Sequence, residues 1–440
     1  MRTRIFLLVL LTAVLCVSGV PQLVAQAPKD ANKPPEGTKQ KVRNPLNDLL
    51  DEAQAAMDKN DYAAAIPPLQ KFLAEKPDVA FAHFQLAYAY TALKQPEDAR
   101  AEYEKCIALD PKMPEAQLNL GILLLERDAK AAVVPLRSAV ELLPSQSRPR
   151  YLLGLAQERS GDLKGAAESL EGAAHLDPKD ADSLTQLGLV YMQLNRPADA
   201  EGKFRAALAL DPKSTEALHG LAVSLDAEKK PEAVQAYREY LAVQPQDAAV
   251  RSRFVHLLLE QGQNDAALAE LDKNGSGKAP TVEDLKLRAD IEIARKNWDG
   301  AIAALKQAIA LAPNDAQLHG GLGRTYLQGR NFTNAELELK TALRLEPNNL
   351  IFWKDLSSTY YLSGNCQATL ATLDVIAKVE SPGAGAWFIR GLCYDKLGQV
   401  QLALDAYRKF LDLDENKNAD QVWQATQRIH VLQRMVEKKK

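Results

Sequence analysis

Residues 181–212 read ADSLTQLGLVYMQLNRPADAEGKFRAALALDP and contain two short helical patterns in succession. Leu187 and Tyr191 recur at helical spacing in the first pattern, and Ala200 and Phe204 do so in the second. A polar turn that contains a proline separates the two patterns. The stretch therefore predicts two amphipathic helices joined by a tight turn.

The same pair of patterns returns along the chain with a nearly constant period. A small residue opens every second pattern at intervals of 33 or 34 residues. It is found at Ala65, Ala99, Ala132, Ala166, Ala200, Ala233, Ala267, Ala301, Ala335, Thr369 and Ala403. A proline closes each unit at intervals of 33 to 35 residues, beginning at Pro77 and ending at Pro382. Two independent residue types keep one period, so the chain beyond residue 46 is an array of repeats.

The choice of residues within one repeat has a physical reason. We expect Gly188 and Ala200 to lie where the two helices of a unit cross, because a larger side chain there would overpack the contact. Leu187, Tyr191 and Phe204 would fill the space between one unit and the next. A single unit cannot bury its apolar face alone, so we expect stability to be a sum over neighbouring units.

These positions resemble the tetratricopeptide repeat, in which Leu-Gly and Tyr line the first helix and Ala, an aromatic residue and Pro mark the second. The residues that match are Leu184, Leu187, Gly188, Tyr191, Ala200, Phe204, Ala207 and Pro212. The resemblance implies an all-α, right-handed superhelical solenoid of about eleven antiparallel helix pairs. The apolar face of Val422, Ala425, Ile429 and Leu432 predicts a C-terminal capping helix.

The predicted domains follow from this period and from two changes in composition. Repeat units one to seven occupy residues 46–279, units eight to eleven occupy 280–415, and the capping helix lies in 416–440. The stretch Asn274-Gly275-Ser276-Gly277-Lys278 separates the two blocks, either as a hinge or as a longer surface loop.

The N-terminus is typical of an exported protein. Arg2 and Arg4 precede an apolar run over residues 5–20, which predicts a signal peptide over 1–27. The apolar run is shorter than the ~20 residues that a spanning helix needs, but an uncleaved N-terminal anchor remains the alternative. Residues 28–45 have almost no apolar side chains and predict a disordered linker. We therefore expect a periplasmic or secreted protein that is not inserted in a membrane after cleavage.

Composition and side-chain spacing exclude several classes of function at the level of sequence. The net charge of -3 offers no basic face for nucleic acid. The six histidines form none of the usual zinc-binding spacings, and no catalytic motif is present. We expect no enzyme activity of its own, no cofactor and no metal.

Cys366 and Cys393 are disulfide candidates, because an exported protein meets an oxidising environment. Cys366 opens the second helix of one unit, and Cys393 lies late in the first helix of the next. Their antiparallel helices would bring these ends together, and the alternative is a pair of buried free thiols.

The resemblance also implies a partner-binding groove, because in this family the first helices of the units line the concave face. The groove positions predicted from this phase are Phe81, Phe84, Tyr88, Leu118, Ile122, Leu125, Tyr151 and Leu155. The same phase predicts a polar and acidic surface in the middle units, formed by Asp182, Thr185, Glu216, His219, Asp226, Ser252, His256 and Asp290. An apolar strip with a polar rim is typical of a peptide site, and coverage by neighbouring helices is the alternative.

Three functions are consistent with these features. The first is a non-catalytic scaffold or adaptor that binds a protein or peptide in the groove. The second is an accessory subunit of an envelope enzyme or export complex, such as one that handles polysaccharide. The third is a self-assembling structural protein.

Overall fold

The computed structural model describes residues 45–274, 279–414 and 417–437 of the 440-residue chain. These residues form 23 helices and no strand. The predicted signal peptide over 1–27 lies outside the described residues, as does the predicted linker up to residue 44. Pro45, which we assigned to the linker, is instead the first residue of α1, because proline suits the first helical position.

The chain divides into two compact units, Met1–Gln244 and Pro245–Lys440. The described helices of the first unit are α1 Pro45–Asp58, α2 Tyr62–Glu75, α3 Ala80–Ala92, α4 Pro96–Leu109, α5 Pro114–Leu125, α6 Ala129–Leu142, α7 Ser147–Arg159, α8 Leu163–Leu176, α9 Ala181–Gln193, α10 Pro197–Leu210, α11 Thr215–Ala227 and α12 Ala233–Val243.

The second unit continues the same alternation. Its described helices are α13 Ala248–Glu260, α14 Asn264–Asn274, α15 Val282–Ala294, α16 Trp298–Leu311, α17 Ala316–Gln328, α18 Phe332–Leu345, α19 Leu350–Leu362, α20 Cys366–Ala377, α21 Ala384–Lys396, α22 Val400–Asp414 and α23 Ala419–Glu437. The division that we predicted between residues 279 and 280 falls inside this unit. Residues 275–278 lie outside the described residues, so the choice between hinge and loop stays a prediction.

The helices pack in eleven consecutive pairs, from α1 with α2 to α21 with α22, and within each compact unit the second helix of a pair also contacts the first helix of the next pair. Each pair has a helix of the first pattern followed by one of the second. This arrangement confirms the prediction of an all-α repeat solenoid with eleven units. The apolar face of each pair is covered by its neighbours within the same compact unit.

Small residues set the distance between the paired helices. All eleven marker positions, including Thr369, are completely buried. A Cβ atom added to Gly188 would lie 2.7 Å from Cε1 of Phe204, and one added to Gly323 would lie 2.7 Å from Cγ of Leu339. The predicted role of Gly188 and its counterparts in the helix crossing is therefore confirmed.

The tight turn between the two helices of a pair needs one residue in the left-handed region. Non-glycine residues with positive φ lie at six of these turns, for example Asn195 at +57° and Lys229 at +56°. Glycine fills the same place at four others, including Gly161. The third pair lacks such a residue in the turn before Ala129, and its first helix α5 is one residue shorter than α3 and α7.

The terminal helix α23 closes the last pair. Ala425, Ile429 and Leu432 are buried in one cluster with Phe388 and Phe410, and Val422 and Val436 pack against it. The predicted capping helix is thus confirmed, and its apolar face covers the last repeat.

Candidate partner-binding site

The eight predicted groove residues fall into two classes in the first compact unit. Half of them are core side chains: Phe84 is 0% exposed, Leu118 5%, Leu125 7% and Leu155 7%. These four pack in a single core cluster and cannot form an open surface, so their assignment to the groove is corrected. Side chains of the second helices belong to the same cluster, and the ring of Phe84, for example, lies 6.1 Å from that of Tyr103 in α4.

The other four predicted residues stay partly exposed, namely Phe81, Tyr88, Ile122 and Tyr151. Phe81, Ile122 and Tyr151 pack against the same core cluster, so they form the outer layer of one continuous apolar body. We call these four residues the aromatic strip.

Ring contacts hold the first part of the aromatic strip in place. The ring of Phe84 lies 6.3 Å from that of Phe81 and 6.4 Å from that of Tyr88, measured between centroids. Tyr62 of α2 adds a ring 5.9 Å from that of Tyr88. Burial raises the pKa of Tyr88, and the neighbouring Tyr62 adds to this rise. The Tyr88 phenol therefore stays neutral at physiological pH, and the two rings present an apolar surface with hydroxyl groups.

Tyr62 was missed at the level of sequence, because the groove rule considered only the first helix of each repeat. Its place at the start of α2 brings it beside the first helix of the following repeat. The available signal was an aromatic residue that directly follows the helix-capping Asp61.

At its other end the aromatic strip meets carboxylates. Burial raises the pKa of Tyr151 first, and the charges of Asp182, Asp180 and Glu216 raise it further. The pKa of Asp182 is itself raised by partial burial and then by Asp180 and Asp211. Carboxylates of the fifth and sixth repeats thus come together beside Tyr151 of the fourth.

Neither Asp182 nor Glu216 forms an ion pair in the part of the chain that the structure describes. We call Asp180, Asp182 and Glu216 the acidic end of the strip. It was predicted at Asp182 and Glu216 and missed at Asp180.

The remaining members of the predicted polar surface are placed differently. Thr185 is buried and donates from Oγ1 to the carbonyl of Ala181, so its assignment to the surface is corrected. His219 packs its ring 5.2 Å from that of Tyr240, and the Tyr237 hydroxyl donates to Asp226 at 2.9 Å.

In the second unit, Ser252 is partly exposed, whereas His256 and Asp290 are exposed. Partial burial raises the pKa of Asp290, and the nearby His256 opposes this rise.

Cys366 and Cys393 are brought together as the sequence predicted, but both carry free, buried thiols. Burial and the adjacent Cys366 thiol raise the pKa of Cys393 to about 12. The proximity is therefore present without the bridge, and the disulfide itself stays a prediction.

The described ranges also bear on metal binding and on membrane spans. Within residues 45–274, 279–414 and 417–437, no group of three or more His, Cys, Asp or Glu side chains could hold a metal ion. None of the helices described here is long and apolar enough to cross a membrane.

Comparison with known proteins gives one family. Models described as tetratricopeptide repeat match residues 50–114, 127–181 and 185–248, then 292–357 and 384–417. Together these matches cover more than half of the chain.

One curated relative and several solved structures are similar over parts of the chain. A TPR repeat-containing protein of Pseudomonas aeruginosa is 45% identical over 69 residues, which are 16% of this chain and 28% of that relative. MamA 41-end from Desulfovibrio magneticus RS-1 is 21% identical with a TM-score of 0.37, covering 39% of this chain and 98% of its own. The C-terminal part of a TPR repeat-containing protein from Cytophaga hutchinsonii is 19% identical with a TM-score of 0.41, covering 61% and 98%.

The family matches coincide with the helix pairs and with the small residues at their crossings. The remaining pairs, such as α13 with α14, have the same alternation of helices. This chain therefore belongs to the tetratricopeptide repeat family.

Proposed function

We propose that this protein is an exported scaffold that binds a segment of a partner protein along the aromatic strip of its first unit. The observation that carries the proposal is the strip itself, in which Phe81, Tyr88, Ile122 and Tyr151 stay partly exposed on a fully packed core. Rigid aromatic side chains of this kind supply large contact area at a low entropic cost. Export is inferred from the predicted signal peptide over 1–27.

The charges along the strip indicate which side chains the partner segment carries. The strip is apolar at Phe81 and Tyr88, and it becomes acidic beyond Tyr151, where partial burial and then the charges of Asp180 and Asp211 raise the pKa of Asp182. A lysine or arginine at this end would relieve that repulsion. We therefore commit to a segment that has apolar side chains followed by a basic residue.

The test uses the full chain and two positions of the same repeat. A photo-crosslinking residue replaces Ile122 in one variant, and in the other it replaces Val134, which is 69% exposed on α6. Peptides selected for binding to the wild-type chain are then crosslinked to each variant. We expect crosslinks at position 122 and none at 134.

Affinity measurements complete the test. Tyr88→Glu with Ile122→Glu should lower the affinity for the selected peptide by at least about tenfold, because both changes put a charge in the apolar part of the strip. Val134→Glu should leave its affinity unchanged. Equal affinity in both variants, with helicity preserved, would exclude the aromatic strip as the binding surface.

A further inference from the structure

His83 joins two repeats through both of its ring nitrogens. Nδ1 lies 2.5 Å from Oε2 of Glu102 in α4, and Nε2 lies 2.9 Å from the carbonyl oxygen of Pro77, which closes the preceding repeat. The ring is buried, with 6% of its surface exposed. A carboxylate and a carbonyl oxygen only accept hydrogen bonds, so both nitrogens must donate. Only the protonated imidazolium has two N–H groups.

His319 repeats this arrangement in the second unit. Its Nδ1 lies 2.7 Å from Oε2 of Glu338 in α18, and its Nε2 lies 3.1 Å from the carbonyl oxygen of Pro313. The separations along the sequence are the same, 19 residues to the glutamate and 6 to the proline. The two histidines therefore occupy one structural position in different repeats.

A third repeat has a permanent cation at this position. Arg251 donates from one guanidinium nitrogen to Glu270 at 2.8 Å and from another to the carbonyl of Pro245 at 2.5 Å. Arginine always carries its charge in proteins. The same two acceptors, a glutamate carboxylate and a proline carbonyl, thus surround Arg251, which is a cation and donates to both.

The bond to the closing carbonyl is also made by uncharged side chains. Gln117 donates to the carbonyl of Pro111 at 3.3 Å, and Trp353 donates from Nε1 to Pro347 at 2.9 Å. The residues 19 positions later are Leu136 and Thr372. Arg150 holds the same position in the fourth repeat, where Ser169 takes the place of the glutamate. The glutamate thus accompanies His83, Arg251 and His319 but not every cation at this position.

The groups that neighbouring elements place around each histidine are few. Beside His83, α4 contributes Glu102 and Lys105, which are paired at 2.7 Å, while Tyr90 belongs to α3 itself. From α2 the lining side chains are Gln70, Leu73 and Ala74, none of them charged.

Around α17, which carries His319, the charged neighbours come from three helices. Besides Glu338, Lys306 of α16 lies over the ring of Tyr326, and Asp355 of α19 pairs with Arg324. The carboxylate in hydrogen-bond contact with the ring is Glu338.

We propose that His83 and His319 are pH-sensitive joints between successive repeats, closed by an imidazolium and loosened when the ring loses its second proton. Histidine changes charge between about pH 5 and pH 8, so the device works near neutrality. A neutral ring keeps one N–H and can satisfy one of its two acceptors. The other buried acceptor is then left without its donor, which weakens the contact between repeats.

The direction of the pH dependence follows from the number of N–H groups. The imidazolium offers a donor to both acceptors, whereas the neutral ring offers a donor to only one of them. The contact between repeats is therefore complete while the ring keeps its second proton, and it is weaker at the higher pH where that proton has been lost.

The first measurement is the ring-nitrogen NMR spectrum of the full chain at about pH 6. We expect both nitrogens of His83 and His319 to carry protons, with assignments from the single His→Gln variants. The exposed His175 and His430 serve as internal references. A bare nitrogen in either buried ring at that pH would overturn the proposal.

The second measurement compares stability at about pH 6 and about pH 8 by urea denaturation. In the wild-type chain the unfolding equilibrium constant should rise about tenfold or more per joint at the higher pH. His83→Arg with His319→Arg should remove this dependence, because arginine keeps both bonds, as Arg251 does. His83→Gln with His319→Gln should be less stable at both pH values.

Both replacements are already present at this position in other repeats, at Arg251 and Gln117, so we expect these variants to fold. His175→Gln with His430→Gln should retain the wild-type pH dependence. An equal pH dependence in the wild type and the double arginine variant would contradict the proposal.

Discussion

The closest approach of paired helices is decided at single glycines. Gly188 lies in α9, and an added Cβ would be within 2.7 Å of the Phe204 ring. Gly188→Ala should therefore lower the free energy of unfolding by about 1–3 kcal/mol, since the buried ring has no room to move. Urea denaturation measures this loss.

Gly202 provides the control for this prediction within the same pair of helices. It is exposed in α10, and nothing lies within 4 Å of an added Cβ. Gly202→Ala should raise the free energy of unfolding by about 0.5–1 kcal/mol through backbone entropy. If both substitutions changed stability by the same amount, the space at the helix crossing would not be the determinant.

The cysteines allow a second test at the scale of residues. Burial raises the pKa of Cys106 and of Cys393 to about 12, so at neutral pH neither thiol has an appreciable thiolate fraction. We expect both to react slowly with an alkylating reagent in the folded, reduced protein and rapidly after unfolding. Mass spectrometry of the labelled peptides gives the two rates.

Mild oxidation with diamide tests the predicted disulfide. The Cys366 and Cys393 thiols lie beside one another, whereas Cys106 belongs to a different core cluster. A single bridge between Cys366 and Cys393 should form, and Cys366→Ser should abolish it. A bridge that involves Cys106 would show that the two helices do not present these thiols to each other.

At the scale of elements, side-chain caps determine where the second helices begin. Asp128 precedes α6 and accepts a hydrogen bond from the Ala131 amide at 3.0 Å. Asp128→Ala should cost about 1 kcal/mol of stability, because a first-turn amide loses its partner. Gln95 occupies the corresponding place before α4 without a side-chain cap bond, so Gln95→Ala should have little effect.

These two variants are compared by hydrogen exchange of the first turns of α6 and α4. Faster exchange should appear in α6 of Asp128→Ala, while α4 of Gln95→Ala should exchange as in the wild type. The prediction fails if the two variants lose protection equally.

At the scale of the whole molecule, stability is local because each repeat contacts only its neighbours. Leu432 of the capping helix is 1% exposed, whereas the adjacent Val431 is 40% exposed. Leu432→Asp would bury an unpaired carboxylate against the last pair and should cost more than about 2 kcal/mol there. Val431→Asp should be nearly neutral.

The loss of stability caused by Leu432→Asp should be confined to the helices that pack around residue 432. We expect hydrogen exchange to accelerate in α21, α22 and α23 and to remain unchanged in the first unit, residues 45–244. A uniform acceleration along the chain would mean that the repeats unfold as one cooperative body.

The period of the repeat, the eleven pairs and the capping helix were all determined by the sequence alone. They depend on local features, namely helical spacing, small residues such as Ala200 and the apolar face of α23. The helical spacing and the small residues are repeated, so their signal accumulates over eleven units. Predicting which residues form helix crossings succeeded for the same reason.

Tertiary structure decided which predicted groove residues remain available. The phase of α3 and α5 places Phe84 and Leu118 on the same face as Phe81 and Ile122, but the covering of that face depends on how closely the next helix approaches. Phe84 and Leu118 are therefore buried in the core, whereas Tyr62 of a neighbouring helix lies beside the aromatic strip. The double acceptors around His83 likewise depend on a carbonyl six residues before it and a carboxylate 19 residues after it. Helical spacing alone specifies which residues share a face of a helix. Only the packing of the neighbouring helices decides which side chains contact that face.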